Sequence, residues 1–359
     1  MVTKKGINFS KTLIGWYEIN KRDLPWRNTS NPYLVWLSEI ILQQTRVDQG
    51  LPYYNRFVAR FPTVFDLASA REEDVLKLWE GLGYYSRARN LHFTAREIVA
   101  SHRGLFPGSK DGLMQLKGIG EYTASAIASF VFEEACPVVD GNVFRVVSRY
   151  CGIEIPADSP EGKKVYYKKA LALMDKNRPG IYNQAIMEFG ALHCKPMNPD
   201  CVNCPLKKQC VAFRNGQVDR YPVKVKKIIP AERFFNYFVI EHNGSVLIRK
   251  RTGRDIWQHL YDFPLAEDNK NYSKKTILNS PLLKSLGRNH KLRIVAVSKV
   301  YKHHLTHQTI YARFFRLNSG HPVFFENFPG EYTVAGINTL KQYVLPRLIQ
   351  HYLKDYLYE

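Results

Sequence analysis

Apolar residues recur at helical spacing over residues 9–21, and the run stops ahead of Pro25. Asn31-Pro32 opens a second helix, read through Thr45, with proline at a starting position where its missing N–H costs nothing. Helical periodicity continues over residues 47–60, 71–80 and 85–101. Further helical runs follow the turn Gly118-Ile119-Gly120 and, after Asp140, cover residues 142–150. Residues 216–230 show no periodicity and are basic, so they read as a linker. Beyond them the period changes to two. Residues 234–241 and 245–250 alternate as strands joined by His242-Asn243-Gly244, a hairpin signal. Residues 293–301 and 309–317 read as further strands and 340–352 as a closing helix. The expected organisation is an α-helical region 1–215, a linker 216–232 and an α+β domain 233–359.

Composition sharpens this picture. The 359 residues are 45% apolar and 23% charged, enough to bury a sizeable core in more than one domain. The net charge is +20, which points to a polyanionic partner. Residues 1–230 carry 33 Lys and Arg against 22 Asp and Glu, and residues 231–359 carry 19 against 10, so both parts are basic. No apolar run reaches membrane-spanning length, and Met1 to Gly6 has no apolar signal core. An intracellular protein that binds nucleic acid and no membrane is therefore expected.

Four stretches carry candidate chemistry. In Leu116-Lys117-Gly118-Ile119-Gly120-Glu121-Tyr122 the two glycines permit close backbone approach, and a helix N-terminus follows, which favours a phosphate. A plain turn between helices would look the same. Asp140, at the mouth of the next helix, is expected to stay ionised there. Glu39 is the lone charge in Tyr33-Leu34-Val35-Trp36-Leu37-Ser38-Glu39-Ile40-Ile41-Leu42. If buried, its carboxyl would hold a proton near neutral pH, whereas on a polar helix face it would be an ordinary exposed glutamate. Gly81-Leu82-Gly83-Tyr84-Tyr85-Ser86-Arg87 mixes glycine, tyrosine and arginine, suiting a loop on a nucleic-acid backbone with a ring free to wedge between bases. Finally, Cys194, Cys201, Cys204 and Cys210 lie within one short segment, which argues for a metal over disulfides. Zinc and an iron–sulfur cluster both take four thiolates. Cys136 and Cys151 stand apart and read as small core residues.

Taken together, the hairpin, the Val139-Asp140-Gly141-Asn142-Val143 wording, the Ser38 to Thr45 segment and the cysteine spacing resemble the base-excision glycosylases of the helix-hairpin-helix and endonuclease III superfamily. The adenine DNA glycosylase branch (MutY) matches best. The resemblance implies a helical helix-hairpin-helix core with an iron–sulfur cluster loop, then a Nudix-like α+β domain without the magnesium-binding acid array. It implies a 4Fe-4S cluster held by the four cysteines in a structural role, with Lys195, Lys207 and Lys208 offering phosphate contacts. It also implies Glu39 and Asp140 as the catalytic pair, with Tyr122 and Asn142 beside them and Arg27 and Gln184 in the base pocket. By the same match Gln44 fills the gap left by a flipped base, Tyr84 is the wedge, and Gly118 and Gly120 hold the backbone.

The implied reaction is hydrolysis of the glycosidic bond of adenine paired with 8-oxoguanine or guanine in double-stranded DNA, by a monomer working at the nucleoid. Cleavage needs a protonated leaving base and a stabilised oxocarbenium-like sugar, and two carboxyl groups tuned in opposite directions supply both. A stacked base is out of reach, so adenine must flip out. The main alternative is a bifunctional endonuclease III-type glycosylase with lyase activity. That branch places a Schiff-base lysine where Tyr122 stands here. A non-catalytic DNA-binding protein is a second alternative. The sequence departs from the branch at Leu305-Thr306-His307, where relatives carry Phe-Ser-His. Thr306 still offers a hydroxyl to a base edge, and His307 is retained.

Overall fold

A computed structural model describes residues 4–223, 230–277, 279–286, 292–319 and 331–356. The chain divides into two compact units, residues 1–70 with 89–226, and residues 71–88 with 227–359.

The first unit is helical. It contains α1 (Lys4–Asn20), α2 (Pro32–Leu42), α3 (Val47–Arg60) and α4 (Val64–Ser69). After α5 (Glu72–Leu78), which belongs to the other unit, come α6 (Ser86–His102), α7 (Lys110–Met114) and α8 (Glu121–Val131). The series closes with α9 (Gly141–Cys151), α10 (Pro160–Leu173), α11 (Pro179–Leu192) and α12 (Val211–Arg214). Phe9, Leu13 and Tyr17 of α1 meet Val143, Val146 and Tyr150 of α9, Tyr166 of α10 and Tyr182, Ile186 and Phe189 of α11 in one buried core. Helix α2 packs on α8, where the buried residues Ala124, Ser125, Ala126 and Ala128 are small enough for the two axes to come close.

Two helix ends differ from the hydrophobic pattern. Helix α2 begins as expected, with the Asn31 side chain accepting from the Tyr33 N–H at 2.9 Å. It stops at Leu42 and not Thr45, because Gln43 leaves the helical region with ψ of 113° and Gln44 takes a left-handed φ of 54°. Helix α4 is short and was not legible as a period. A reciprocal cap starts it, with Thr63 and Asp66 each bonding the other's backbone N–H.

The second unit is built on a twisted sheet of β1 (Ala231–His242), β2 (Ser245–Lys250), β3 (Tyr261–Asp262), β4 (Leu265–Asp268), β5 (Leu292–Val297), β6 (Tyr301–His304), β7 (Gln308–Ser319) and β8 (Tyr332–Gly336). The main path runs β3-β2-β1-β7-β5. Strands β1 and β7 are parallel, in register from Ala231 opposite Gln308 to Glu241 opposite Asn318. Alternate residues of β1 serve two cores. Phe235, Tyr237 and Val239 face Phe314 and the residues Leu348, Ile349 and Tyr352 of the last helix, α15 (Arg347–Tyr356). Phe238 and Ile240 face Phe315 and Leu317, with Ile277 of α13 (Lys274–Ile277) and Leu283 of α14 (Pro281–Leu286).

The strand expected over 293–301 is two strands. A register shift between Ile294 and Ala296 bends β5, and the chain leaves the ladder before β6 begins at Tyr301. The closing helix starts later than its apolar pattern suggests. A 3₁₀ turn covers Ile337–Gln342, and Pro346, unfit for a helix interior, stands just ahead of α15.

Residues 71–88 are fastened to this sheet by charge. Glu72 meets His259 Nδ1 at 2.5 Å, Lys250 Nζ meets Glu73 at 2.7 Å, and Gln350 Nε2 donates to Glu80 at 2.8 Å. The glycine-rich loop that follows α5 is thereby held next to the β6–β7 hairpin.

Candidate active site

Helix α2 buries Glu39 at 6% exposure, between Ser38 and Ile40. Asp140 is the cap of α9. Its carboxylate accepts from the Val143 N–H at 2.8 Å and from Asn142 Nδ2 at 2.7 Å. The Asn142 oxygen in turn accepts from Arg145 Nη2 at 2.9 Å, and the same nitrogen donates to the Gly190 carbonyl at 2.6 Å. Gly190 is required by space, because a Cβ there would lie 2.6 Å from the Cβ of Asn142.

These pieces meet in one cavity of about 580 Å³, within the range of small-molecule sites. Glu39, Asp140, Tyr122, Asn142, Arg27 and Gln184 all line it, as do Arg22, Glu188, Arg145 and Trp26. The residues forming its walls include no lysine. Lys117 lies elsewhere, its Nζ 4.2 Å from the centre of the Phe93 ring.

Burial pushes the Glu39 carboxyl up to about 7, with the nearby Asp140 adding to the rise. A hydrogen bond from Tyr122 and the charge of Arg27 oppose it. Burial, reinforced by Glu39 and Asp140, also keeps the Tyr122 phenol protonated well above its ordinary range. Asp140 shifts in the same direction as Glu39. Its carboxyl lies above the usual aspartate range, because burial outweighs the donors of Val143 and Asn142 and the charge of Arg145. What separates the two acids is the donor set, richer at Asp140 than at Glu39.

A second wall is ionic. Glu188, on α11, accepts from Arg22 Nε at 2.9 Å and Nη2 at 2.6 Å, and from Arg27 Nη1 at 2.8 Å and Nη2 at 2.6 Å. One turn earlier, Gln184 accepts from the Tyr17 hydroxyl at 2.7 Å.

The other expected contacts lie outside the cavity. Gln44 is exposed. In the hairpin only Gly118 needs to be glycine for its backbone, with φ of 78° and Asn90 so close that a Cβ would clash at 2.7 Å. Gly120 is extended with open space around it and starts α8 with no side-chain cap.

Three of the four cysteines, Cys194, Cys204 and Cys210, pack against the α1, α9 and α11 core. None is in a disulfide. Arg149 Nη1 donates to Cys194 Sγ at 3.4 Å and to the Lys195 carbonyl at 2.7 Å, and Cys210 Sγ donates to the Arg149 carbonyl at 3.4 Å. Burial and then the neighbouring thiols push Cys201 up, and Cys204 reaches about 12. Such a set releases protons when it takes a metal. Among the described residues no group of three or more His, Cys, Asp or Glu forms a ready site for a single ion.

In the second unit Tyr84 stands 45% exposed with a left-handed φ of 46°, just after glycines 81 and 83, which also have positive φ. Its hydroxyl bonds the Thr306 hydroxyl at the tip of the β6–β7 hairpin. His307 is exposed beside it, and Leu305 packs inward on the sheet core.

Comparison with known proteins fits these parts together. Residues 37–166 match the HhH-GPD superfamily base excision DNA repair protein family, and residues 236–355 match the NUDIX domain family. An adenine DNA glycosylase of Buchnera aphidicola (from Acyrthosiphon pisum) is 37% identical over 258 residues, covering 71% of this chain and 73% of the relative. The chain belongs to the adenine DNA glycosylase family. The Homo sapiens member is 44% identical over 213 residues, 57% of this chain and 39% of that one. A solved thermostable thymine-DNA glycosylase superposes with a TM-score of 0.55 at 27% identity, covering 59% of this chain and 98% of its own.

This member of the adenine DNA glycosylase family is thus a DNA glycosylase of base excision repair, a hydrolase of N-glycosyl bonds. Among the described residues no helix is long and apolar enough to cross a membrane. Sequence reasoning missed Glu188, Arg22, Arg145 and Arg149. A signal was present for Glu188, the lone acid of Ile186-Met187-Glu188-Phe189, and it is the signal that had singled out Glu39. The arginines gave none, because a buried guanidinium and an exposed one look alike in sequence.

Proposed function

We propose that the enzyme hydrolyses the glycosidic bond of adenine opposite 8-oxoguanine or guanine after flipping that adenine into the 580 Å³ cavity. The observation that carries this reading is the pairing of Glu39, raised to about 7, with Asp140, tied to Val143 and Asn142, in one pocket. Glu39 holds the proton that a departing purine needs, given to a ring nitrogen. Asp140, with more donors to its oxygens, is the carboxylate that faces the anomeric carbon and offsets the charge growing on the sugar. Tyr122 orients the Glu39 carboxyl, Asn142 fixes Asp140, and Arg27 and Gln184 frame the base. The enzyme is monofunctional, since Tyr122 fills the Schiff-base position and the cavity walls carry no lysine. Gln44, Gly118 and Gly120 contact the DNA from the same unit, and Tyr84, Thr306 and His307 form a probe for the oxidised partner base.

Cys194, Cys201, Cys204 and Cys210 hold a 4Fe-4S cluster, for which an all-thiol set is suited. The cluster supplies a rigid tie for the loop carrying Lys195, Lys207 and Lys208. The protein acts as a monomer inside the cell at the nucleoid, with a catalytic region 1–215, a linker 216–232 and a reading domain 233–359. Residues 224–229 of that linker lie outside the described residues. A strand-cleavage assay on duplexes holding adenine opposite 8-oxoguanine, adenine opposite guanine and thymine opposite guanine tests the reading. Alkali-dependent cleavage is expected for the first two only, and cleavage of the third alone would overturn it.

A further inference from the structure

Glu188 is a further acid of the cavity, beside Glu39, Asp140 and the exposed Asp48, and the reaction as described makes no use of it. Its side chain is 1% exposed, yet it is fully ion-paired. Both oxygens are used, Oε1 by the Arg22 N–H at 2.9 Å, Arg22 Nε at 2.9 Å and Arg27 Nη1 at 2.8 Å, and Oε2 by Arg22 Nη2 and Arg27 Nη2, each at 2.6 Å. Two forked guanidinium contacts on one carboxylate fix direction as well as charge. Arg27 is held further by a bond to the Arg22 carbonyl at 3.1 Å and by the Tyr17 ring, 5.7 Å away.

Arg27 also lines the pocket that holds Glu39. A guanidinium with no partner in a poorly solvated pocket seeks the nearest carboxyl, and an arginine beside a carboxyl favours its ionised form. Glu39 needs the opposite, a proton kept until the base leaves. Resting on the glycosylase reading above, we propose that Glu188 is a positioning residue: by engaging Arg27 and Arg22 it keeps them off Glu39, so the general acid retains its proton while Arg27 frames the base.

The groups that face Glu39 bear this out. Tyr122 donates to it from α8, Asp140 at the cap of α9 is the acid acting on it, and Arg27 is the cation acting on it. Arg46 and Asp48 lie in the exposed wall, and Arg145 is turned to Asn142 and Gly190. Arg22 and Arg27 are therefore the cations whose freedom depends on Glu188. The two Arg partners hold the Glu188 carboxyl down to about 2, so it stays charged wherever the enzyme is assayed.

The test is single-turnover adenine release by the full-length, cluster-containing protein on an adenine:8-oxoguanine duplex, followed across pH. For the wild type, release falls as pH rises through about 7, where Glu39 loses its proton. In Glu188→Gln the midpoint of that fall moves down by roughly one pH unit, so the loss is about tenfold at mildly alkaline pH and shrinks on acidification. Glu188→Asp, one methylene short of both forks, gives a smaller shift in the same direction, and serves as the reading if Glu188→Gln does not fold. Adding Arg27→Gln to Glu188→Gln removes the released cation and returns the midpoint to the wild-type position. An unmoved midpoint in the glutamine and aspartate variants, with any loss equal at all pH values, overturns the role of Glu188. Absence of adenine release from the wild type overturns the glycosylase reading itself.

Discussion

Gly190 stands directly over Asn142: a Cβ at position 190 would lie 2.6 Å from the Asn142 Cβ and 3.0 Å from its carbonyl oxygen. The end of α11 therefore sets how far Asn142, and through it Asp140, can sit from the base. Gly190→Ala forces Asn142 to move. An ångström of misplacement near the chemistry costs on the order of 100-fold in rate. Single-turnover excision by Gly190→Ala is expected to fall by about that factor with duplex affinity retained, and a wild-type rate would show that Asn142 does not position Asp140.

The two acids separate by substitution. Glu39→Gln and Asp140→Asn should each abolish adenine release and leave duplex binding largely intact, as read by gel shift beside single-turnover kinetics. Near wild-type excision by either variant removes that residue from the catalytic pair.

Glu39 should also cost stability at alkaline pH. Its folded value, about 7, lies above the unfolded glutamate value, so the folded state's hold on the proton is fully present in acid and is lost as pH rises through about 7. A shift of that size corresponds to on the order of 3 kcal/mol. The gain in Tm of Glu39→Gln over the wild type should therefore grow between mildly acidic and alkaline pH. A constant difference would mean that Glu39 is not protonated in the folded protein.

With Tyr122 in the Schiff-base position, the product strand should carry an intact abasic site that breaks only on alkali treatment. Borohydride should trap little covalent complex. Efficient trapping traced to a single lysine would reveal a lyase.

For the cysteine loop, anaerobically purified protein should be brown, with about four iron per chain. A colourless protein with stoichiometric zinc rejects the cluster. Cys201→Ser should lower Tm and DNA affinity, since loss of one ligand would release a loop whose Cys194, Cys204 and Cys210 pack against the core that α9 and α11 share.

Reading of the oxidised base is best tested by point changes. Removing residues 231–359 would also strip α5 of His259, Lys250 and Gln350, and so disturb the Tyr84 loop. Thr306→Ala deletes the hydroxyl that Tyr84 bonds. With His307→Ala it should narrow the preference for adenine opposite 8-oxoguanine over adenine opposite guanine by ~1–3 kcal/mol. An unchanged ratio of rates on the two duplexes would place the reading elsewhere.

The sequence by itself settled what depends on neighbours along the chain. A 3.6-residue period giving way to a two-residue one marked the change from helices to sheet, and Val47–Arg60 and Ser245–Lys250 end where the pattern ends. Lone charge in an apolar run exposed Glu39, and bunching exposed the four cysteines. Other features belong to the tertiary structure because they are set by residues far apart in the chain. Glu39 and Asp140 share a pocket only because α2 packs on α8 while α9 rests on α11. The upward shift of Asp140 reflects burial, which no local cap reveals. Glu188 became a partner of Arg22 and Arg27 only when α11 brought it to them across more than a hundred and fifty residues of chain. Local periodicity reports which face of an element is buried; which charges are buried together is decided by packing, where the cost of an unpaired ion in low dielectric dictates the partner.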